Sequence, residues 1–321
     1  MKRTRRRAVW PLRLLALAAA VAAPVALTGC AGQSSSAPSS SKISGGVALA
    51  TAGNAFYAAE AKGAADKAKA ENVQLNVQYA DSDLDKQSSQ IDAFIRDKVD
   101  FIVIDAVDSD GIGPAVLRAK QAGIKVVAID AAASGADAAV FTDNVKAGEM
   151  TCDYLIKQIG EKGKFALADS IPISVIKDRI DGCKKALAKA PNVTVVSEQR
   201  ADNSRDGGLK LGSEVLTAQP DIDAIFAVND PQAAGVALAA KQKGNSHVII
   251  GGVDGSSQAL DVIKSGGPIV VTAAQYPEAL GSRGIELALG LLDGVKPKEN
   301  PELMVPGLVT EDNVEKYTRW D

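Results

Sequence analysis

The sequence predicts an α/β protein of two similar lobes, each built on a mostly parallel sheet. Three observations carry this reading. Short apolar runs alternate with helix-like segments, and their centres recur about every 24 residues, the period of a βαβ unit with right-handed crossovers. Phe101–Ile104 is apolar throughout, as expected of a parallel strand covered on both faces. The pattern runs as far as Asp143-Asn144 and then restarts, giving halves of roughly 100–130 residues, ordinary domain sizes. No long linker separates the halves, so direct strand crossings are expected to join them as a hinge.

Taken in order, Gly46–Thr51 reads as the first strand. Asn54-Ala55-Phe56-Tyr57 follows, then a helix with a small-residue stripe at Ala61, Ala64, Ala65 and Ala68. Val73–Tyr79 alternates as a second strand. Asp81-Ser82-Asp83 is a turn with capping residues, and Ile91, Phe94 and Ile95 mark the buried face of the next helix. After Phe101–Ile104 a helix runs to Ala122, stopped by Gly123. Val126–Ile129 and Val140–Thr142 complete the first half. The second half reads as a helix to Ile159, strand Lys164–Ala168, helix Ser174–Lys189, strand Val193–Ser197 and a helix to Ala218. Strand Ile222–Val228, a helix to Lys243 and strand Val248–Val253 follow. A last helix, Pro277–Asp293, leads into a Pro- and Gly-rich tail from Lys296 to Gly307.

The N-terminus reads as a targeting segment. Lys2, Arg3, Arg5, Arg6 and Arg7 form a positive n-region, and Leu14 to Leu27 is an apolar h-region, the length of a signal peptide and short for a membrane span. It ends in Leu27-Thr28-Gly29-Cys30, which resembles a bacterial lipobox. There small residues precede a cysteine that becomes the lipid-bearing (palmitate) N-terminus. The rival is an ordinary secretory signal with a chance cysteine. Residues 1–29 are thus expected to be a lipoprotein signal peptide and 30–43 a flexible, Ser-rich tether. The folded part is expected outside the cytoplasm, held at the outer face of the cell membrane through Cys30 without spanning it.

Residues 1–29 contain six of the 36 basic residues and none of the 39 acidic ones, so the mature chain carries 30 against 39, a net charge of −9. That argues against nucleic acid or anionic lipid as a partner of the folded part. Cys152 and Cys183 remain. Oxidising conditions favour a disulfide between them, and two buried free thiols are the alternative.

Each apolar run of the second half stops at a side chain able to pair its hydrogen bonds: Asn229, Asp254 and Gln275. In the first half the runs stop at Asp105 and Asp130. Ligands of open α/β sheets sit outside the carboxyl ends of the strands, so a ring of amides and carboxylates is aimed at one crevice. Enzymatic chemistry is not visible there. His247 is the one histidine, and no phosphate-binding Gly-x-x-x-x-Gly-Lys loop, Gly-x-Ser-x-Gly elbow or His/Cys zinc cluster occurs. Asp81, Asp83 and Asp85 alternate, but the sixth position of that loop is Lys86 and not the glycine of a calcium loop. No catalytic residue, metal or cofactor is expected.

Seven separated motifs carry a resemblance. They are Asn54-Ala55-Phe56-Tyr57, Asp81…Asp85-Lys86-Gln87, Asp100-Phe101-Ile102-Val103-Ile104, Thr142-Asp143-Asn144, Phe226-Ala227-Val228-Asn229-Asp230, Gly252-Val253-Asp254-Gly255 and Ala274-Gln275-Tyr276-Pro277. In this order and spacing, residues 44–315 resemble the substrate-binding proteins of sugar ABC importers, the ribose/galactose-type periplasmic binding proteins (type I). The resemblance implies an α/β fold of two Rossmann-like lobes joined by a three-crossing hinge. The N-terminal lobe would be 44–142 plus 276–303, and the C-terminal lobe 143–275 plus 304–321. A monomer is expected to trap a ligand between the lobes by closing them.

The resemblance also implies a ligand set of Asn54, Phe56, Tyr57, Asp105, Asp130, Asn203, Asn229, Asp254 and Gln275, with Lys177 or Arg179 as the cation. Planar carboxylates and amides suit adjacent hydroxyls, and Phe56 and Tyr57 offer faces to the C–H side of a sugar ring. The alternative for each polar residue is a helix cap, and for the aromatics a hydrophobic staple. The sequence departs from its relatives at Ala131, where they place Arg, and at Asp105, where they commonly have Asn. Aromatics expected near Asn203 and Val253 are replaced. These changes disfavour a phosphorylated or acidic ligand. The expected function is the substrate-binding component of an ABC importer, taking a small neutral carbohydrate or polyol to permease subunits. The alternatives are a sensory lipoprotein docking on a receptor kinase and a binder of an amine-bearing sugar-like ligand. A LacI-type repressor shares the implied fold, but this chain has a lipobox where a helix-turn-helix would stand.

Overall fold

The computed structural model describes residues 42–320. The signal segment, Cys30 and the tether as far as Ser41 lie outside the described residues. Two six-stranded sheets organise the chain. In the first half the elements are β1 (Ser44–Leu49), α1 (Ala55–Ala70), β2 (Gln74–Tyr79), α2 (Leu84–Asp97), β3 (Phe101–Ile104), α3 (Gly113–Gln121), β4 (Lys125–Ile129) and β5 (Ala138–Thr142). The second half holds α4 (Asn144–Gln158), β6 (Gly163–Asp169), α5 (Ser174–Leu187), β7 (Val193–Arg200), α6 (Arg205–Ala218), β8 (Ala224–Ala227), α7 (Asp230–Gln242), β9 (Ile249–Asp254), α8 (Ser257–Lys264) and β10 (Ile269–Ala274). Then come α9 (Pro277–Leu292), β11 (Glu302–Met304), β12 (Gly307–Thr310) and a 3-10 turn at Val314–Lys316.

The first sheet has the order β11-β5-β4-β3-β1-β2 and the second β12-β10-β9-β8-β6-β7. All pairings are parallel except β10 with β12. Both sheets therefore reverse their strand order once, between β1 and β3 and between β6 and β8. Such switch points open a crevice at the carboxyl ends of the strands. The chain passes from the first sheet to the second between β5 and α4, and returns between β10 and α9, which packs on β3, β4 and β5. It crosses again between β11 and β12. β11 lies within the stretch read from sequence as an irregular tail. Three residues at a sheet edge are too few to show a period, and their pairing with Val140–Thr142 is set by a partner about 160 residues away.

The central strands are wholly buried: β3 and β8 have no exposed residue. Two apolar clusters flank each sheet. Val47, Leu49, Phe101, Val103, Val127 and Ile129 meet α1 and α9 on one face, and Ala48, Ile102, Ile104 and Val126 meet α2 and α3 on the other. Close helix pairing fixes the two helices that matter most for the crevice. A Cβ on Gly148 of α4 would meet the backbone carbonyl of Arg179 in α5, and one on Gly281 of α9 would meet that of Glu60 in α1. Cys152 of α4 and Cys183 of α5 are joined by a disulfide, Cα–Cα 5.2 Å. The crossing of α4 and α5 is thereby held both by backbone contact and by a covalent link.

Candidate functional site

Strand ends from both sheets converge between the two halves. Asp105 follows β3, Asp130 follows β4, Asp254 ends β9, and Asn229 and Gln275 follow β8 and β10. All five are buried, none more than 6% exposed. The halves touch across the crevice where Ser174, at the start of α5, meets two loops of the first sheet. Its Oγ accepts from the Ala132 N–H at 3.0 Å and lies 3.4 Å from Ser109 Oγ.

Two of these carboxylates stand on strained backbone. Asp130 has φ 53° and Asp254 φ 133°. Non-glycine residues in such conformations cost about 1–3 kcal/mol each and gather at functional sites. Asp254 is held by Gln275, whose Nε2 donates to its Oδ1 at 2.8 Å, and its backbone carbonyl accepts from the Gln275 N–H and from Trp320 Nε1. Behind it, Asp230 accepts from the Ser256 N–H and from Thr272 Oγ1, both at 2.8 Å. Burial and the neighbouring Asp254 push Asp230 up to about 8.

Arg179 is the cation of the crevice. Its guanidinium donates to Asn144 Oδ1 and to the Val228 carbonyl, both at 2.8 Å, and lies 3.5 Å from Asp254 Oδ1. Burial pushes Asp130 and Asp254 up to about 6, against the pull of Arg179 on both. Lys177 is elsewhere. It pairs with Asp181 at 2.6 Å, is 73% exposed, and lines a groove with Lys184 and Arg200 beside the Ser174–Ala132 contact. Of the two cations left open by the sequence, the structure brings only Arg179 to the strand ends.

The other expected residues divide by packing. Asn54 caps α1, its Oδ1 accepting from the Phe56 N–H at 3.0 Å, and it also lines a cavity of about 340 Å³ between the halves with Tyr57, Asp108, Ile173 and Asn203. Asn203 accepts from Asn229 Nδ2 at 2.6 Å, while Asn229 Oδ1 caps α7 through the Gln232 N–H. Capping and facing the crevice are thus done by the same side chain. Tyr57 faces the acids, and burial followed by Asp105 and Asp130 raises its hydroxyl well above the usual range. Phe56 is buried in the first-sheet core, edge-on to Tyr57 and to Trp320, which is the staple-like alternative.

Two residues of the site escape sequence reasoning. Trp320 reaches it from the far end of the chain, joining Phe56 of one half to the Asp254 carbonyl of the other. No local pattern marks it. Glu60 is fully buried beside Asp105, and burial holds both carboxyls well above the usual carboxylate range. Its signal was available: Phe56, Glu60, Ala64 and Ala68 recur at four-residue spacing on the buried face of α1, so a charge sits on an apolar stripe.

The buried oxygens without a hydrogen-bond partner at this crevice are Glu60 Oε1 and Oε2, Asp105 Oδ2, Asp130 Oδ1 and Gln275 Oε1. All are acceptors. Buried acceptors are rarely left unpaired, so the arrangement fits a ligand rich in hydrogen-bond donors. Among the described residues no His/Cys/Asp/Glu group has the geometry of a metal site, and no helix is long and apolar enough to cross a membrane.

A family model described as periplasmic binding protein domain matches residues 45–296. The xylitol-binding protein of Mycolicibacterium smegmatis is 32% identical over 94% of this chain and 86% of its own length. The ribose import binding protein of Bacillus subtilis is 33% identical over 78% and 82%. Among solved structures, an ABC transporter periplasmic solute-binding protein of Actinobacillus succinogenes with bound D-allose superposes with TM-score 0.81, at 27% identity, covering 86% of this chain and all of that one. A solute-binding protein of Mycobacterium smegmatis with bound glycerol also gives 0.81, at 30% identity, covering 86% and 96%.

Proposed function

This chain belongs to the periplasmic binding protein family of ABC-transporter solute receptors, and we propose that it captures a small neutral sugar or polyol in the crevice between its sheets. One observation carries the reading: acceptors from both sheets, Asp130 Oδ1 and Gln275 Oε1, are buried without a partner at strand ends where Arg179 acts on Asp130 and Asp254. Hydroxyls are donors to the acceptors and acceptors to Arg179, and they bring no charge into a site that is already acidic. The relatives named for xylitol and ribose, and the structures holding D-allose and glycerol, bind ligands of this class.

In this reading Asn54, Tyr57, Asp105, Asp130, Arg179, Asn203, Asn229, Asp254 and Gln275 form the ligand set. The lobes are 44–142 with 276–304 and 143–275 with 305–321, one residue later than the sequence reading because Met304 pairs with Thr142 in the first sheet, closing as a monomer over the ligand and presenting it to permease subunits. Lipid on Cys30 holds the receptor at the outer face of the membrane. A thermal-shift panel of pentoses, hexoses and polyols tests the ligand class, since binding raises apparent stability by mass action. Asp254→Asn and Asn229→Ala are expected to abolish the shift, with intrinsic stability falling by about 3–5 kcal/mol for Asp254→Asn, which leaves Arg179 without its buried partner, and about 1–2 kcal/mol for Asn229→Ala. Wild-type shifts in both variants would place the site elsewhere. Cys30→Ala is expected to move the protein from the membrane fraction to the soluble one, and unchanged fractionation refutes the anchor.

A further inference from the structure

We propose that Glu60 is a positioning residue of the ligand site: it holds one proton against Asp105, so that this corner meets the ligand as an acid–carboxylate pair and not as two negative charges. The inference rests on the sugar or polyol reading and deepens it. Acceptors outnumber donors at this corner. Glu60 Oε1, Glu60 Oε2 and Asp105 Oδ2 are buried, and no amide, hydroxyl or cationic group donates to them. The two carboxyls are within hydrogen-bonding reach of one another. A proton between them is the donor that this set of acceptors lacks.

Among the described residues no cation pairs with either carboxyl, and Arg179 acts on Asp105 only from across the crevice. The lysines of α1 turn outward, Lys62 to Asp66 and Glu278, Lys67 to Glu71 and Glu286, and Lys69 is exposed. The groups facing Glu60 are Tyr57 on its own helix, Tyr79 from β2, Asp105 after β3 and Asp130 after β4. On α9 the acids Glu278 and Glu286 are engaged at the surface by Lys62, Lys67 and Arg283, and the backbone of α1 is closed off at Gly281. Across the crevice Arg179 acts on Asp105, Asp130 and Asp254. Neighbouring carboxyls without a cation between them cannot both ionise, and burial raises both members of this pair.

The shared proton has a consequence for ligand choice. With Glu60 as donor, Asp105 is oriented and shares its charge with the proton. Gln275, a neutral amide 1% exposed, leaves its Oε1 unpartnered in the same crevice, so the demand for ligand donors does not come from the acids alone. A neutral polyhydroxylated ligand satisfies it and keeps the proton in place. An anionic sugar would add charge beside Asp105 and Asp130.

The test measures dissociation constants of xylitol, D-ribose and D-allose by calorimetry from pH 7 to pH 10 for wild type, Glu60→Gln and Glu60→Leu. A site that must retain one proton loses affinity as the pH rises, by up to about tenfold per pH unit. Wild type is expected to show that fall. Glu60→Leu, which removes the donor, is expected to bind at least tenfold more weakly at pH 7.5. Glu60→Gln, whose amide replaces the acid proton, is expected to restore most of that loss and to flatten the alkaline fall. A purely structural role for Glu60 would leave the pH profile of Glu60→Gln like that of wild type, and this outcome or a flat wild-type profile overturns the proposal. Infrared difference spectra at pH 7.5, wild type minus Glu60→Gln, provide a ligand-independent reading. A protonated-carboxyl band supports the shared proton, and an ionised carboxylate band refutes it. If none of the three probes binds wild type at any pH, the ligand reading fails, and the infrared result still decides the proton.

Discussion

Replacing Arg179 by methionine tests the electrostatics of the crevice directly. Met fills much of the same volume and removes the guanidinium from Asn144 Oδ1, the Val228 carbonyl and Asp254. At 3.5 Å a pair of unit charges is worth about 5 kcal/mol at an effective dielectric constant near 20. Truncating one partner of a buried pair costs about 3–5 kcal/mol. The expected loss at pH 8 is therefore about 4–5 kcal/mol. It must shrink in acid. Asp130 and Asp254 already stand at about 6 with Arg179 lowering them, and the variant raises both further above their unfolded values. Between roughly pH 4 and the new values the folded variant binds more protons than the unfolded chain, so its stability falls as the pH rises through that range. At pH 5 the acids are neutral, and the loss reduces to the two unsatisfied oxygens of Asn144 and Val228, about 2 kcal/mol at ~1 per group, the low end for an orphaned acceptor. Urea unfolding followed by circular dichroism at pH 5 and pH 8 measures the difference. A loss under about 1 kcal/mol at pH 8, or one as large at pH 5 as at pH 8, refutes Arg179 as the charge that holds these carboxylates.

Two further substitutions probe what positions the site. Gly148→Ala is expected to destabilise by about 1–3 kcal/mol, the range for overpacking, and to weaken ligand binding, because the new Cβ meets the Arg179 carbonyl and must push α5 away. Binding and unfolding curves superposable on wild type would count against that contact. Trp320→Ala removes a half-buried indole that touches Phe56 and donates to the Asp254 carbonyl at 3.2 Å. Expected are a stability loss of about 1–2 kcal/mol, below the 3–5 of a fully buried Trp, and weaker ligand-induced stabilisation in the same thermal-shift panel, which an unaltered shift would disprove.

Much of the fold was legible because local rules coincided. Phe101–Ile104 reads as a strand covered on both faces and is one, since burial on both sides demands an unbroken apolar run. Asp83 reads as a helix-capping residue and accepts from the Lys86 N–H, and Asn229, for which a cap is the alternative to ligand contact, accepts from the Gln232 N–H, because capping involves only neighbours in sequence. The first strand was read from Gly46 to Thr51 and forms from Ser44 to Leu49. Ala50 and Thr51 turn instead into the loop that carries Asn54 and Tyr57 to the crevice, and a boundary of this kind depends on what the loop packs against.

By itself the sequence determined the alternation of strands and helices, its restart at Asp143, and the polar residue at each strand end, all of which are written in neighbouring positions. Which of Lys177 and Arg179 enters the crevice was decided only in three dimensions. They stand two residues apart, about 200° around a helix at 3.6 residues per turn, so α5 can bury one of them only by exposing the other. The contact of Gly148 with the Arg179 backbone, together with the Cys152–Cys183 link, fixes that rotation. The same holds for Glu60, whose carboxyl becomes chemically distinctive only beside Asp105, and for Trp320, which arrives from the far end of the chain. Periodicity states which face of an element is buried. The neighbour it is buried against comes from contacts between residues far apart in sequence, and those contacts set the protonation and charge of this crevice.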